Sequence, residues 1–230
     1  MAAQEPQLSV KLSLSEPTYY FTNPTPPTLS LTIESNLDKP ITIFTWYTPF
    51  NPSLGMVQGC FSIMDLTTNT PVPQTKIQIQ RAPFSRARGS YDDHLFLTLY
   101  PHTPTVVSTG FGRGGGKFPP DPKAVVERGR VRDENGKELK IRTSTSGCGV
   151  DGLEGGHRYR VDVTRSPLTI GRWWWGTKEE VMVEPGGVDW NILPGEEIPL
   201  EVGSIEGVEF EVEWGPEAGA GGVSEGGDEN

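Results

Sequence analysis

The sequence is poor in the residues that most often build a chemical site. It has two cysteines, Cys60 and Cys148, and three histidines in 230 residues. The cysteines stand far apart and form no CxxC pair, so neither a zinc knuckle nor a disulfide framework is indicated. They read as two unpaired thiols. No HExxH string occurs, which removes the zinc-protease helix. Long apolar runs are missing too: nothing approaches the roughly 18 to 20 residues that cross a bilayer as a helix. The start, Met1 to Gln7, lacks the basic residues and apolar stretch of a signal peptide, so the expected location is the cytoplasm, without a membrane span.

Basic residues are absent from one whole end. Glu179 to Asn230 holds fifteen acidic residues and no Lys or Arg, a net −15, whereas Met1 to Lys178 holds 20 basic and 15 acidic residues, a net +5. The acidic end would repel a phosphate backbone, so nucleic acid is not an expected partner. Apolar residues make up only 34% of the chain, with 28 Gly and 21 Pro. Much of it should therefore be loop, and the folded part smaller than the whole.

What is present is alternation. Leu29, Leu31 and Ile33 alternate with Ser30, Thr32 and Glu34, the period of a half-buried strand. Asn36 to Pro40 supplies turn residues, and Ile41 to Trp46 is β-branched and aromatic, so a central hairpin is expected with Trp46 anchoring the core. Leu8 to Leu14, Cys60 to Leu66 with a partner over Val72 to Gln80, Leu95 to Leu99 and Thr105 to Thr109 read as further strands, the last two joined by a tight turn at Tyr100 to Pro104. His157 to Val163 and Val208 to Trp214 also alternate. Glu209, Glu211 and Glu213 face one way, and Arg158 and Arg160 would relieve their repulsion as cross-strand partners, which predicts that these strands are antiparallel neighbours.

Roughly seven to nine short strands with Pro/Gly-rich connections and no convincing helix predict an all-β, antiparallel immunoglobulin-like sandwich. It should form a single domain over residues 8–214, with 110–149 as a flexible insertion and 215–230 as a disordered acidic tail. The insertion begins with a GxGxxG string at Gly110 to Gly115. Lys117 to Pro122 cannot open the helix that a dinucleotide site needs, so no cofactor is expected there.

Three groups of residues carry possible chemistry. Trp173, Trp174 and Trp175 are consecutive; in an extended segment the first and third share a face, leaving at least one ring exposed for a sugar, a base or a partner side chain. The competing reading buries two of them and lets the third cover an edge strand. Arg172, Arg86 and Arg88 offer guanidinium groups to a carboxylate or phosphate, or are simply solvated. Asp92, Asp93 and His94 form the densest set of acid/base groups, although His102 lies too far along the strand to share a metal with His94, so no metal site is expected.

The segments PPTLSLTIESNLDKPITIFTWYTPFN (26–51), FSIMDLTTNTPVP (61–73), FSRARGSYDDHLFLTLYPHTP (84–104), GHRYRVDV (156–163) and GRWWWGTKEEVM (171–182) resemble an uncharacterised family of small β-sandwich proteins from filamentous fungi. The resemblance covers most of Leu29 to Met182 and implies a sandwich fold and a fungal source. It transfers no catalytic residue. A fainter strand-and-turn pattern is similar to the β-sandwich domain that precedes the catalytic part of deuterolysin-like metalloproteases, without their zinc helix. The expectation is a non-catalytic binding module for a protein or small molecule, using Trp173, Trp174, Trp175, Arg172, Arg86 and Arg88. The alternative is a hydrolase built on Asp92, Asp93 and His94.

Overall fold

The alternating segments pair as strands around a shared core. The computed structural model describes residues 6–20, 25–74, 76, 83–111, 152–164, 168–185 and 198–213, and the backbone alone of 125–127, 130–132 and 138–139. One sheet has the order β1 (Leu8–Leu14), β3 (Thr28–Ser35), β8 (Thr105–Gly110). A second runs β2 (Thr18–Tyr20), β16 (Val208–Glu213), β12 (His157–Val163), β5 (Phe61–Asp65), β6 (Thr70–Pro71), and a third β14 (Trp173–Trp175), β4 (Ile41–Phe44), β7 (Phe96–Leu99). β13 (Thr169–Ile170) pairs with β15 (Leu200–Glu201). Within the insertion expected over 110–149, Gly110 ends β8 and Phe111 is buried, while β9 (Val125–Glu127), β10 (Arg130–Arg132) and β11 (Glu138–Leu139) form a small antiparallel meander; the rest of the insertion and the tail lie outside the described residues. Among the described residues the strand pairs are antiparallel except β2 with β16. No helix among the described residues is long and apolar enough to cross a membrane.

The core follows from the alternation. Leu8, Leu29, Leu31 and Ile33 of the first sheet meet Phe61, Ile63, Tyr159, Val161, Phe210 and Val212 of the second, and all are nearly inaccessible to solvent. Tyr159 stacks on Phe210 with ring centroids 5.6 Å apart, and Phe111 meets the same ring edge-on at 5.3 Å. On the outer side Arg158 lies opposite Glu211 and Arg160 opposite Glu209, the neighbours that the charge pattern calls for. Arg158 reaches the Glu209 carboxylate at 3.0 Å, while Arg160 turns to Asp162 at 3.0 Å. These pairs are exposed and contribute about 0 to 1 kcal/mol each, so they favour the register more than they stabilise the fold.

Two expected turns take a different role. β3 does not fold back on β4: β3 pairs with β1 and β8, and β4 with β14 and β7. Likewise β7 and β8 are not paired with each other; Tyr100 to Pro104 lies opposite Asn36 to Pro40, with the His102 amide donating to the Ser35 carbonyl at 2.8 Å. The two segments thus carry one antiparallel ribbon, β3–β4 against β8–β7, from the first sheet into the third. Turn-forming residues permit a change of direction without dictating a reversal.

Two short helices appear where no convincing helix was expected. α1 (Pro52–Gln58) starts with Pro52 in its first turn, the Asn51 side chain accepting from the Leu54 amide at 3.3 Å. It stops at Gly59, whose φ of 74° is the left-handed cap that glycine adopts without strain. α2 (Lys178–Val181) is a single turn in which the Glu180 carboxylate reaches back to the Thr177 amide at 2.7 Å. The partner expected over Val72 to Gln80 begins earlier, at Thr70–Pro71, with the Val72 amide still donating to the Ile63 carbonyl at 2.9 Å; residues 75 and 77–80 lie outside the described residues. Trp46 lies beyond the end of β4, only partly buried, and does not anchor the main core.

Leu31→Ala, at a position with no exposed surface, should cost about 2 to 5 kcal/mol in urea unfolding, whereas Val106→Ala, on the open face of β8, should stay within about 0.5 kcal/mol.

Candidate functional site

The site is built on the third sheet, which is buried on both faces. Trp173 lines up with Ile43 and Leu97, and Trp175 with Ile41 and Leu99, all on the side of the main core. Trp174 lines up with Thr42 and Thr98 on the other side, where Phe44, Phe96, Leu95, Val181 and Met182 form a second apolar cluster with Phe84 packed against it. Thr42 Oγ lies 3.2 Å from Thr98 Oγ and donates to the Gly176 carbonyl at 2.9 Å. Thr98 Oγ in turn accepts from the Lys178 amide at 2.7 Å, which fixes the start of α2 over the cluster.

Of the three tryptophans only Trp175 presents its ring, 45% exposed and edge-on to Trp173 at 5.1 Å. Trp173 is buried and donates its indole N–H to the Ile198 carbonyl at 2.8 Å. Trp174 is buried among Phe96 at 5.8 Å and Phe84 at 5.9 Å, and its indole N–H meets no acceptor among the described residues. Of the three rings offered for binding, Trp173 and Trp174 are therefore buried and Trp175 is the one left at the surface. Both sides of their strand are covered, and each ring follows the period of two into a different core. Trp190 and Trp214 lie outside the described residues.

The three arginines do converge, around the second cluster. Arg86 lies over the Trp174 ring at 5.9 Å and donates to the Val181 carbonyl at 3.4 Å. Arg172, on the same side of its segment as Trp174, lies over Phe84 at 5.0 Å. Arg88 pairs with Glu184 at 2.8 Å and with the Glu179 carbonyl. Two guanidinium groups thus lie over adjacent rings of one aromatic cluster, Arg86 partly buried and Arg172 exposed.

Asp92, Asp93 and His94 belong to the same region, with other duties. Asp92 is buried and its Oδ2 accepts from the Ser85 amide at 2.8 Å. Asp93 accepts from the Gly89 amide at 2.7 Å and pairs with Lys178. The hydrogen bonds from Lys178 and Gly89 hold its carboxyl below the ordinary value of 3.8, the opposite of what a general acid near neutral pH requires. His94 is exposed and edge-on to Tyr91 at 5.7 Å. The two carboxylates fasten the loop 83–95 to itself and to α2. Among the described residues no group of three or more His, Cys, Asp or Glu is placed to hold a metal.

The fastening leaves Tyr91 at the tip of the loop, 85% exposed. Its base is held by Val183: the Arg88 amide donates to the Val183 carbonyl and the Val183 amide to the Arg86 carbonyl, each at 2.9 Å. Tyr91 and Phe84 are the site residues that the sequence reading did not single out. The signal was present in the Gly89-Ser90-Tyr91 order, where an aromatic ring follows turn residues inside a polar loop. His157, the remaining histidine, lies elsewhere, its Nδ1 2.8 Å from Asp65 Oδ2 and its ring stacked on Tyr159. Burial pushes the Asp65 carboxyl up, but hydrogen bonds from His157, Thr68 and Thr67 outweigh it and lower the carboxyl below 3.8. In comparison with known proteins, the sequence matches no family model and no curated protein.

Trp174→Ala should destabilise the fold by about 3 to 5 kcal/mol in chemical denaturation, and Trp175→Ala by less than about 1 kcal/mol. Acid should act through Asp65. Because its folded carboxyl is lowered, its contribution is complete above the unfolded value of 3.8 and is lost as pH falls through the folded value. Asp65→Asn should be less stable than wild type at about pH 6, the difference shrinking towards about pH 2 in pH-dependent unfolding.

Proposed function

We propose that this protein is a non-catalytic binding module of immunoglobulin-like topology, and that its recognition surface is the braced loop 83–95 with the arginine-capped aromatic cluster beneath it. The observation that carries the reading is Tyr91. Its ring is 85% exposed on a loop whose neighbouring polar groups are fixed by Asp92, Asp93 and Lys178. A large aromatic side chain held in place before contact loses little conformational freedom on binding, and tyrosine is among the residues that dominate binding energy at protein interfaces. The loop comes off a sheet that is buried on both faces, as a scaffold for recognition requires. Support for the topology comes from the order β1-β3-β8 against β2-β16-β12-β5-β6, with β2 added parallel at the edge.

The reading is tested by immobilising the protein and comparing what wild type, Tyr91→Ala and Trp175→Ala retain from a lysate of cells that express it. The expected result is a specific protein partner whose retention falls at least about tenfold in Tyr91→Ala, the scale of one interface anchor, with the melting temperature shifted by less than about 2 °C. Wild type retaining nothing, or Tyr91→Ala retaining as much as wild type, contradicts the proposal.

A further inference from the structure

The first sheet ends on β8, which is paired along one side with β3 in unbroken register and, among the described residues, with no strand along the other. Two hydrogen bonds fix the alternation of its peptide groups. The Phe111 amide donates to the Pro27 carbonyl at 2.7 Å, and on the far side of β3 the Ser15 amide donates to the Thr28 carbonyl at 3.0 Å. In an antiparallel ladder successive residues turn their N–H and C=O to opposite sides, so Leu29, Leu31 and Ile33 bond to Thr109, Val107 and Thr105. The backbone groups of Val106, Ser108 and Gly110 therefore point away from the sheet. All three residues are exposed, and Gly110, having no side chain, is exposed through its backbone.

Nothing built into the strand closes that edge. Thr105–Gly110 has no charged residue, no proline and no bulge, the devices that keep an edge strand from pairing. α1 lies on the inner face instead: its Cα atoms come within 8 Å of β3 as well as of β8. An element beyond the edge would stand about 4.8 Å farther from β3 than from β8. The opposite end of the sheet is covered, because Val202 bridges to Leu8 and the Gly203 amide donates to the Leu8 carbonyl at 2.8 Å.

The open edge fits its own copy. Its occupant must be an extended strand that turns unused donors and acceptors outward at every second residue, and β8 of a second molecule supplies them already ordered, so little chain entropy is lost. Across a two-fold axis at Ser108, Val106 lies opposite Gly110 of the second copy and Ser108 opposite its counterpart, each pair exchanging both N–H···O=C bonds. The Val106 side chain, 61% exposed, then rests over a position where no side chain opposes it. No like charges meet, as they would if β16 paired with itself through Glu209, Glu211 and Glu213. We propose that β8 pairs in this way with β8 of a second copy of this chain, joining two first sheets into one. Because the β1 edge is covered, the pairing closes at a dimer. β8 shares no residue with loop 83–95, and this inference does not rest on the binding reading above.

A contact made by one strand pair is small, so the dimer is a weak one, read at high protein concentration. Sedimentation equilibrium of the full chain from about 5 μM to about 1 mM should show the mass rising from that of the monomer towards twice its value. Over the same range hydrogen exchange at the Val106, Ser108 and Gly110 amides should slow from near the open-chain rate, while Val107 and Thr109 stay protected throughout. Ser108→Pro removes an N–H that β3 does not use, where an edge strand tolerates proline, and Val106→Lys places a charge on the edge. Each variant should associate at least about tenfold more weakly, with its amide spectrum away from β8 preserved. If Ser108→Pro fails to fold, Val106→Lys decides alone. A monomer at the highest concentration, species larger than a dimer, undiminished association of Val106→Lys, or protection of the three outward amides already at the lowest concentration overturns the inference.

Discussion

Two indole rings buried on opposite faces of one three-residue strand tie the layers of this molecule together. Trp173 enters the core between the two larger sheets, and Trp174 enters a second, smaller cluster on the outside. Because successive side chains of a strand point to opposite faces, one short segment can serve two cores only if both of its faces are covered. α2 and the loop 83–95 supply the outer cover. The threonine ladder of Thr42 and Thr98 seats the first turn of α2, and Phe84 fixes the loop by its place among Phe44, Phe96 and Trp174.

The second cluster therefore does more than fill space. It gives a polar loop a rigid base, and the loop's own carboxylates complete the fastening. Asp92 and Asp93 accept from the amides of Ser85 and Gly89, and Asp93 pairs with Lys178, bonds that tie the loop to itself and to α2. What the bracing leaves over is surface: the Tyr91 ring, the His94 imidazole beside it, and guanidinium groups stacked on aromatic faces. Order in the loop is a precondition for recognition, since an anchor that is already placed does not lose its freedom a second time on binding.

How much of this is legible in the sequence depends on the range of the interaction that decides it. β1, β3, β12 and β16 are readable from alternation, and the pairing of β12 with β16 from Arg158 and Arg160 against the glutamates, because period and charge are written in consecutive residues. The ribbon that passes from the first sheet to the third is not readable, because Asn36 to Pro40 and Tyr100 to Pro104 allow a reversal or a continuation equally, and partners distant in sequence choose. Trp46 resembles a core residue but follows the last paired residue of its strand. Within the site, the opposite orientations of Trp173 and Trp174 follow from strand periodicity. Which of the three rings stays exposed does not, since that depends on cover arriving from Phe84 and α2. The gathering of Arg86, Arg88 and Arg172 in one region is likewise tertiary, as is the exposure of Tyr91.

Asp92 and Asp93 hold the loop that carries Tyr91 rigid. Amide hydrogen exchange at Ser85, Arg88 and Gly89 tests it most directly. These three amides donate to the Asp92 carboxylate, the Val183 carbonyl and the Asp93 carboxylate. All three should exchange far more slowly than an open chain, and Asp93→Asn should speed exchange at Gly89 while leaving the β12 amides protected. Exchange of Ser85 and Gly89 at the open-chain rate in the native protein would contradict it, and Tyr91 would then ride on a loop without a brace.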